Sequence, residues 1–345
     1  AAKVLGLCDL AETHGNGIID LTNRANLQLR GISDQSHAAV MAGLQDMGLL
    51  DRDATTESRR NILLSPFWQP GDANHTIARS LERALKAAED LLLPGKFGFV
   101  VDAGPEPQLQ SCAADIRIER SGDKLLLIAD GAQTGCPVEV ETAAEAALDL
   151  ARWFLDTGGV TDGRGRMAAH IATRGAPVGA ETAPLPAAPV PEPGVTPQGT
   201  LLGFAFGQTT AESFAQLAEL GALRLTPWRM VLMEEVTPSA PLPDFITDAR
   251  DPRRRVQVCT GAPGCRQALS DTRDAARAIA AHLSPDSDDT IHISGCAKGC
   301  AHPAPAPVTL TASHDGHFTL IRHGRAGDPP QSAPLTVTQI QDRRL

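Results

Sequence analysis

Four of the seven cysteines in this chain of 345 residues stand in two tight pairs. Cys259-Thr-Gly-Ala-Pro-Gly-Cys265 is a Cys-x5-Cys, and Cys296-Ala-Lys-Gly-Cys300, further along, is a Cys-x3-Cys. Thiolates are soft ligands, and four of them on two Gly-containing loops can enclose a cubane iron-sulfur cluster or a tetrahedral zinc ion. Neither spacing is the Cys-x2-Cys knuckle usual for structural zinc, which favours iron-sulfur chemistry. The other three, Cys8, Cys112 and Cys136, are isolated and read as ordinary packed thiols. A mixture of ligand-like pairs and lone thiols fits a reducing compartment better than a disulfide framework, so the chain is placed in the cytoplasm.

The elements that must hold these loops follow from apolar periodicity. Helices are expected over residues 4–13, 35–47, 76–92, 143–155, 211–220 and 271–282. Strands are expected over 18–29, 97–102, 115–120, 124–129 and 201–206, with an extended segment around 60–65. Residues 121–123, Ser-Gly-Asp, form the turn of a hairpin. Residues 175–199 are dominated by Ala, Pro and Gly with almost no charge, the composition of an extended linker.

Beyond that linker the pattern starts again. Leu223-Arg224-Leu225-Thr226-Pro227-Trp228-Arg229 repeats Leu21-Thr22-Asn23-Arg24 with one residue inserted. A hairpin over 308–321 has the length of the one over 115–128, with Gly316 in the turn as Gly122 is in the other. The chain therefore reads as an internal duplication in which each half supplies one small and one larger α/β unit, and only the second copy carries the cysteine pairs. The strand over 201–206, ahead of Thr226, has no counterpart in the residues ahead of Thr22, so the chain is expected to begin late, without its opening strand.

The net charge of −10 argues against nucleic acid as the main partner and leaves room for an anionic small molecule held by a local basic pocket. No apolar run approaches the roughly 20 residues of a membrane-spanning helix. The run Arg253-Arg254-Arg255 reads as a solvated face, with docking of an acidic electron donor as the other reading. No Gly-x-Gly-x-x-Gly follows a strand, which points to a separate electron donor.

The two-fold repeat, the Leu-Thr-x-Arg strands and the two cysteine pairs resemble the siroheme-dependent sulfite and nitrite reductase superfamily. Within it, Ser294-Gly295-Cys296-Ala297-Lys298-Gly299-Cys300-Ala301-His302-Pro303 is most similar to the precorrin-3B synthase family. The resemblance implies an α+β, internally duplicated sulfite/nitrite reductase-like fold: two ferredoxin-like half-domains (1–48 and 200–245) and two larger α/β domains (49–174 and 246–345) related by pseudo-two-fold symmetry. It implies a 4Fe-4S cluster on Cys259, Cys265, Cys296 and Cys300, with Cys300 nearest the substrate, and a mononuclear non-heme iron of unassigned ligands. His302 is the candidate for that iron or for substrate contact.

By the same resemblance Arg24, Arg60 and Lys96 match positions that bind siroheme carboxylates or the substrate anion, and Arg30, Arg59, Arg224 and Arg229 are further cations beside the same motifs. Guanidinium groups suit carboxylates because they bind them bidentately and stay charged. The reductases carry two lysines flanking the Phe of the strand that here reads Leu93-Pro94-Gly95-Lys96-Phe97-Gly98; the first is kept and the second is Gly98. Glycine cannot donate a proton, so reduction of sulfite or nitrite is disfavoured. The implied activity is an O2-dependent monooxygenation of precorrin-3A at C20 with γ-lactone formation, in aerobic cobalamin biosynthesis, with electrons from reduced nicotinamide through an external donor. The alternatives are a siroheme-dependent sulfite or nitrite reductase, a non-catalytic iron-sulfur electron-transfer protein, and, last, a zinc-stabilised binding module.

Overall fold

The computed structural model describes residues 1–284 and 289–343. The first half runs α1 (Ala2–His14), β1 (Ile18–Leu21), β2 (Leu27–Leu29), α2 (Asp34–Asp46), α3 (Ala54–Arg59), β3 (Ile62–Leu64), α4 (Ala73–Ala87), β4 (Phe99–Asp102), β5 (Ile116–Ser121), β6 (Lys124–Ala129), β7 (Cys136–Val138), α5 (Ala143–Asp156) and α6 (Met167–Arg174). The second runs β8 (Gly194–Thr196), β9 (Gly199–Phe204), β10 (Gln208–Thr210), α7 (Ala211–Leu220), β11 (Leu223–Leu225), β12 (Met230–Glu234), β13 (Phe245–Ile246), β14 (Val256–Val258), α8 (Thr272–Ala280), β15 (Ile291–Ser294), β16 (Ala306–His314), β17 (His317–Gly324), β18 (Leu335–Thr336) and α9 (Val337–Gln341).

Two five-stranded sheets repeat one design. In the order β3-β4-β5-β6-β7 the first two pairings are parallel and the last two antiparallel. The order β14-β15-β16-β17-β18 has the same sequence of pairings. The parallel strands are continuous apolar runs because helices cover them: β4, Phe-Val-Val-Asp, is buried at all four positions. Against it packs α4, whose Ile77, Leu81 and Leu85 recur at a spacing of four and form one buried stripe. Asp72 caps this helix by accepting from His75 N–H. In the second sheet α8 does the same with Ala275, Ala276, Ile279 and Ala280, capped by Asp271, which accepts from the N–H groups of Arg273 and Asp274. Both long hairpins turn on a glycine in the left-handed region, Gly122 at φ +62° and Gly316 at φ +68°, which a Cβ would strain.

The two smaller segments share one core. Cys8, Ala11, Ile19 and Leu21 of the first pack with Leu202, Phe204, Phe214 and Leu217 of the second. Strand β10 pairs antiparallel with β1, so the second half supplies an edge of the first half's small sheet. Three expectations need correction. The single strand over 18–29 is two, because Thr22 Oγ1 accepts from the N–H groups of Arg24 and Asn26 and Ala25 turns at φ +54°. The helix expected to reach residue 92 stops at Ala87, since α4 is followed by a turn. The Ala/Pro-rich segment is extended but docked: Thr182 bridges to Gly135, Leu185 O accepts from Gln110 Nε2 at 2.9 Å, Ala188 N–H donates to Pro107 O at 2.8 Å, and residues 194–196 pair with β9. No helix of the described residues is long and apolar enough to cross a membrane.

Candidate metal centre and anion site

Strands β14 and β15 run parallel and adjacent, so the loops leaving their C-terminal ends, which begin at Cys259 and Cys296, are neighbours. Gly295 N–H donates to Cys259 Sγ at 3.2 Å, and Leu269 N–H to Gly295 O at 2.8 Å, tying the two loops together. Thr272 Oγ1 donates to Cys259 O at 2.9 Å and Ser294 Oγ to Cys296 O at 2.7 Å, which fixes the first residue of each pair. A Cβ on Gly261 (φ +69°) would lie 2.4 Å from Thr272 Oγ1, and one on Gly295 would lie 2.7 Å from Ala268, so the loops approach closely only with glycine at both places.

All four thiols are unpaired; Cys259, Cys265 and Cys296 are half-buried and Cys300 is exposed. Among the described residues no three His, Cys, Asp or Glu side chains are gathered as closely as one metal ion requires. A cubane is wider than a single ion and holds its thiolates farther apart. Two thiolate loops side by side, with a backbone N–H already aimed at one sulfur, suit the cluster in donor type and arrangement.

Beneath the last cysteine lies a histidine pair. His292 is fully buried and its ring nitrogens have no hydrogen-bond partner among the described residues. Its ring meets that of His302 edge to face with centroids 5.7 Å apart. Burial, and then the neighbouring His302, pull the His292 pKa down to about 4, so it is neutral near pH 7. This residue carried no sequence signal beyond a polar position in an apolar strand.

The expected cations divide into groups. Arg24 and Lys96 come together: Arg24 Nη2 donates to Lys96 O at 3.1 Å. Arg166, which nothing in the sequence singled out, donates to the same carbonyl at 2.9 Å and pairs with the buried Asp115 at 3.1 Å. Asp115 also accepts from Gly98 N–H at 3.1 Å and from Met167 N–H at 2.8 Å. Burial outweighs these partners and holds its carboxyl above the ordinary range. A Cβ on Gly98 would stand 2.9 Å from Asn61 Nδ2, which itself donates to Phe97 O.

The others are engaged within the protein. Arg60 pairs with Asp51 at 2.7 Å, and Arg59 is buried with its Nη2 3.4 Å from Thr56 Oγ1. Arg224 lies 3.9 Å over the Trp68 ring, donates to Pro66 O and Trp68 O, and pairs with Glu234 at 2.6 Å. Arg30 and Arg273 grip Asp20 from two sides, at 2.6 and 2.9 Å. Burial alone would raise the Asp20 carboxyl, but Arg273 and Arg30 carry it below its usual value.

The expected solvated face of residues 253–255 is half-buried and its side chains are engaged within the protein. Arg253 chelates Asp251 and Arg254 reaches Glu192 and Ala249 O, while Arg255 Nη2 donates to Ser284 O. Arg229 is different: its guanidinium makes no hydrogen bond or ion pair among the described residues, and burial, then Arg273, lower its pKa. Its stem crosses Gly207 (φ +69°), where a Cβ would come within 2.9 Å of Arg229 Cδ. Cys8 and Cys112 are buried thiols whose pKa burial raises to about 11, too high for thiolate chemistry at neutral pH.

Comparison with known proteins follows the same lines. Residues 1–47 match the model of the nitrite/sulfite reductase ferredoxin-like half domain. A precorrin-3B synthase from Sinorhizobium is 29% identical over 361 residues, covering 96% of this chain and 78% of that protein. A ferredoxin–nitrite reductase from Synechococcus elongatus is 26% identical over 362 residues, covering 85% and 69%. The solved structure of the Mycobacterium tuberculosis NirA protein shares the fold, with a TM-score of 0.64 at 18% identity over 99% of this chain and 76% of that one. The chain resembles the nitrite/sulfite reductases in its first 47 residues and in its fold, and a precorrin-3B synthase is among the relatives it is similar to over nearly its whole length.

Proposed function

We propose that this protein is a precorrin-3B synthase: it binds precorrin-3A where its reductase relatives bind siroheme and hydroxylates it at C20 with dioxygen, a ring A acetate closing to a γ-lactone. One oxygen atom enters the macrocycle and the other leaves as water, with two electrons from reduced nicotinamide through a separate donor. The observation that carries this reading is the packing at Gly98. A side chain there would displace the Asn61 amide from the Phe97 carbonyl, so the position two residues beyond Lys96, where the reductases have their second lysine, is packed for glycine. Without it, proton delivery to an oxyanion beside Lys96 lacks half its apparatus.

In this reading Cys259, Cys265, Cys296 and Cys300 hold a 4Fe-4S cluster, which supplies one-electron redox chemistry when bound. Arg24 and Lys96 face the substrate's carboxylates, backed by Arg166. Arg30, Arg59, Arg60 and Arg224 keep the surrounding walls in place through the partners described above. His302, against the neutral His292, stands at the boundary between cluster loop and substrate. The division into half-domains at 1–48 and 200–245 and larger domains at 49–174 and 246–345 is part of the same proposal, as are the second iron and a cytoplasmic setting.

The test is chemical. Anaerobically purified protein is analysed for iron, acid-labile sulfide and siroheme, then mixed with precorrin-3A, a reductant and oxygen. Cluster without siroheme, and a product carrying one added oxygen atom, is the expected result. Stoichiometric siroheme, no oxygenated product and reduction of nitrite or sulfite would reverse it in favour of the reductase reading, to which the likeness to a ferredoxin–nitrite reductase lends support.

A further inference from the structure

The second large sheet carries one group of ligand-bearing side chains apart from its cysteines. Strand β16 runs parallel to β15, so its far end, where it turns into β17, lies at the same edge of the sheet as the cysteine loops. The turn is Asp315-Gly316, and the residues flanking it, His314 and His317, are directly opposed across the two strands. Opposed side chains share a face of the sheet, and the two imidazoles lie ring on ring, with centroids 4.1 Å and planes 20° apart. The tip is held in place. Gly316 N–H donates to Ser270 Oγ at 3.0 Å, and Ser270 O accepts at 3.0 Å from the N–H of Ala262, inside the first cysteine loop.

Hydrogen bonds fix which nitrogen of each neutral ring carries the proton. His317 Nδ1 stands 2.8 Å from Asp315 O, and a carbonyl only accepts, so Nδ1 is protonated and Nε2 keeps a lone pair. Ser313 Oγ donates to His317 O at 3.4 Å, which leaves its oxygen to accept from His314 Nδ1, 3.1 Å away. His314 Nε2 then has a lone pair too. Neither Nε2 has a hydrogen-bond partner among the described residues.

We infer that His314 and His317 form a chelating site for one divalent cation of the nickel, copper or zinc kind, separate from the four thiols. Imidazole nitrogen is the ligand these ions accept in common. An Nδ1–H bonded to a carbonyl or hydroxyl is the usual backing of a metal-binding histidine, because it sets the tautomer and makes Nε2 the better donor. To bind, the stacked rings swing apart about their Cα–Cβ bonds until both lone pairs meet at one point, while the tight turn holds the two backbones at one separation. Among the described residues no third His, Cys, Asp or Glu is gathered with them, so water fills the ion's remaining positions and the ion can exchange.

The test titrates Ni2+, which does not oxidise thiols, into the anaerobically purified, tag-free chain and follows the heat of binding. The wild type takes up the ion, and Ser313→Ala weakens that uptake by about 10-fold, the low end for losing a group behind a metal ligand. His314→Gln and His317→Gln each weaken it further, since either removes a ligand outright. His37→Gln, at an exposed histidine of α2, leaves it unchanged. Any Ni2+ held by the thiols is common to all these proteins, so the differences between them report the hairpin alone. If the wild type takes up no more Ni2+ than both glutamine variants do, the site is overturned. Should a glutamine variant not fold, spectra of isotope-labelled histidine in the wild type decide: Ni2+ broadens the His314 and His317 ring signals first, and broadening that spares both overturns the site as well.

Discussion

The two five-stranded sheets have one topology and opposite uses for the loops at the ends of their parallel strands. In the first, these ends are closed by internal hydrogen bonds. Asp102 accepts from Gln108 and Leu109 N–H at 2.6 and 2.8 Å, Asn74 Oδ1 accepts from Ala103 N–H at 2.7 Å, and Arg224 caps the carbonyls of Pro66 and Trp68. In the second, the same ends carry four unpaired thiols tied together mainly by backbone and hydroxyl groups. A duplicated fold can thus commit one copy to rigidity and leave the other's strand ends carrying free thiols. The copies remain coupled, because each half's large sheet borders the other half's small one.

The sharpest way to test this division is at the thiols. Cys296→Ser, or a serine at any of Cys259, Cys265 and Cys300, should abolish the proposed cluster, taking iron and acid-labile sulfide from about four per chain to near zero; retention of both would place the metal elsewhere. Next in size is the seam. Asp20→Ala strands Arg30 and Arg273, and removing one member of a buried ion group costs ~3–5 kcal/mol, read as a lowered denaturant midpoint of the whole chain.

The first copy's closed loops give a smaller effect. Asp102→Ala orphans two N–H groups at a cost of ~1–3 kcal/mol, with iron content unchanged; a fall in cluster occupancy would blur the distinction between the copies. The seam also gives a pH signature. The Asp20 carboxyl is held low when folded, so its contribution is present above the unfolded value of ~3.9 and is lost as pH falls through the lower folded value. The acid limb of a stability–pH curve should therefore flatten in Asp20→Asn, which leaves nothing to titrate there. Smallest of all, Arg52→Ala removes only exposed ion pairs and should leave the midpoint unmoved.

Much of this was written into local sequence. Helix α7 matches its expected bounds, residues 211–220, because an apolar stripe follows a threonine cap, and each long hairpin is marked by a glycine at a turn position of positive φ. The cysteine loops show in spacing alone. What escaped sequence reasoning depends on partners distant along the chain. Strand β10 is three residues long and becomes a strand because β1 is there to receive it. Arg166 matters through Lys96 O, seventy residues away in sequence. Arg30 and Arg224 looked like free cations because nothing local hints that Asp20 or Trp68 will meet them. Asp20 did leave a clue: a carboxylate inside the apolar run Ile-Ile-Asp-Leu had to be matched by a buried cation.

The pairing of β10 with β1 has a consequence for how the molecule can be divided. An edge given by one copy to the other is the arrangement of an exchanged dimer whose subunits have been joined into one polypeptide. Cut between residues 183 and 187, the two fragments would each expose an unmatched apolar helix face, α1 on one and α7 on the other, where Cys8 and Ala11 now meet Phe214 and Leu217. Neither should persist alone, yet mixed or coexpressed they should reassemble, with Asp20 and Arg273 as the polar contact that sets their alignment.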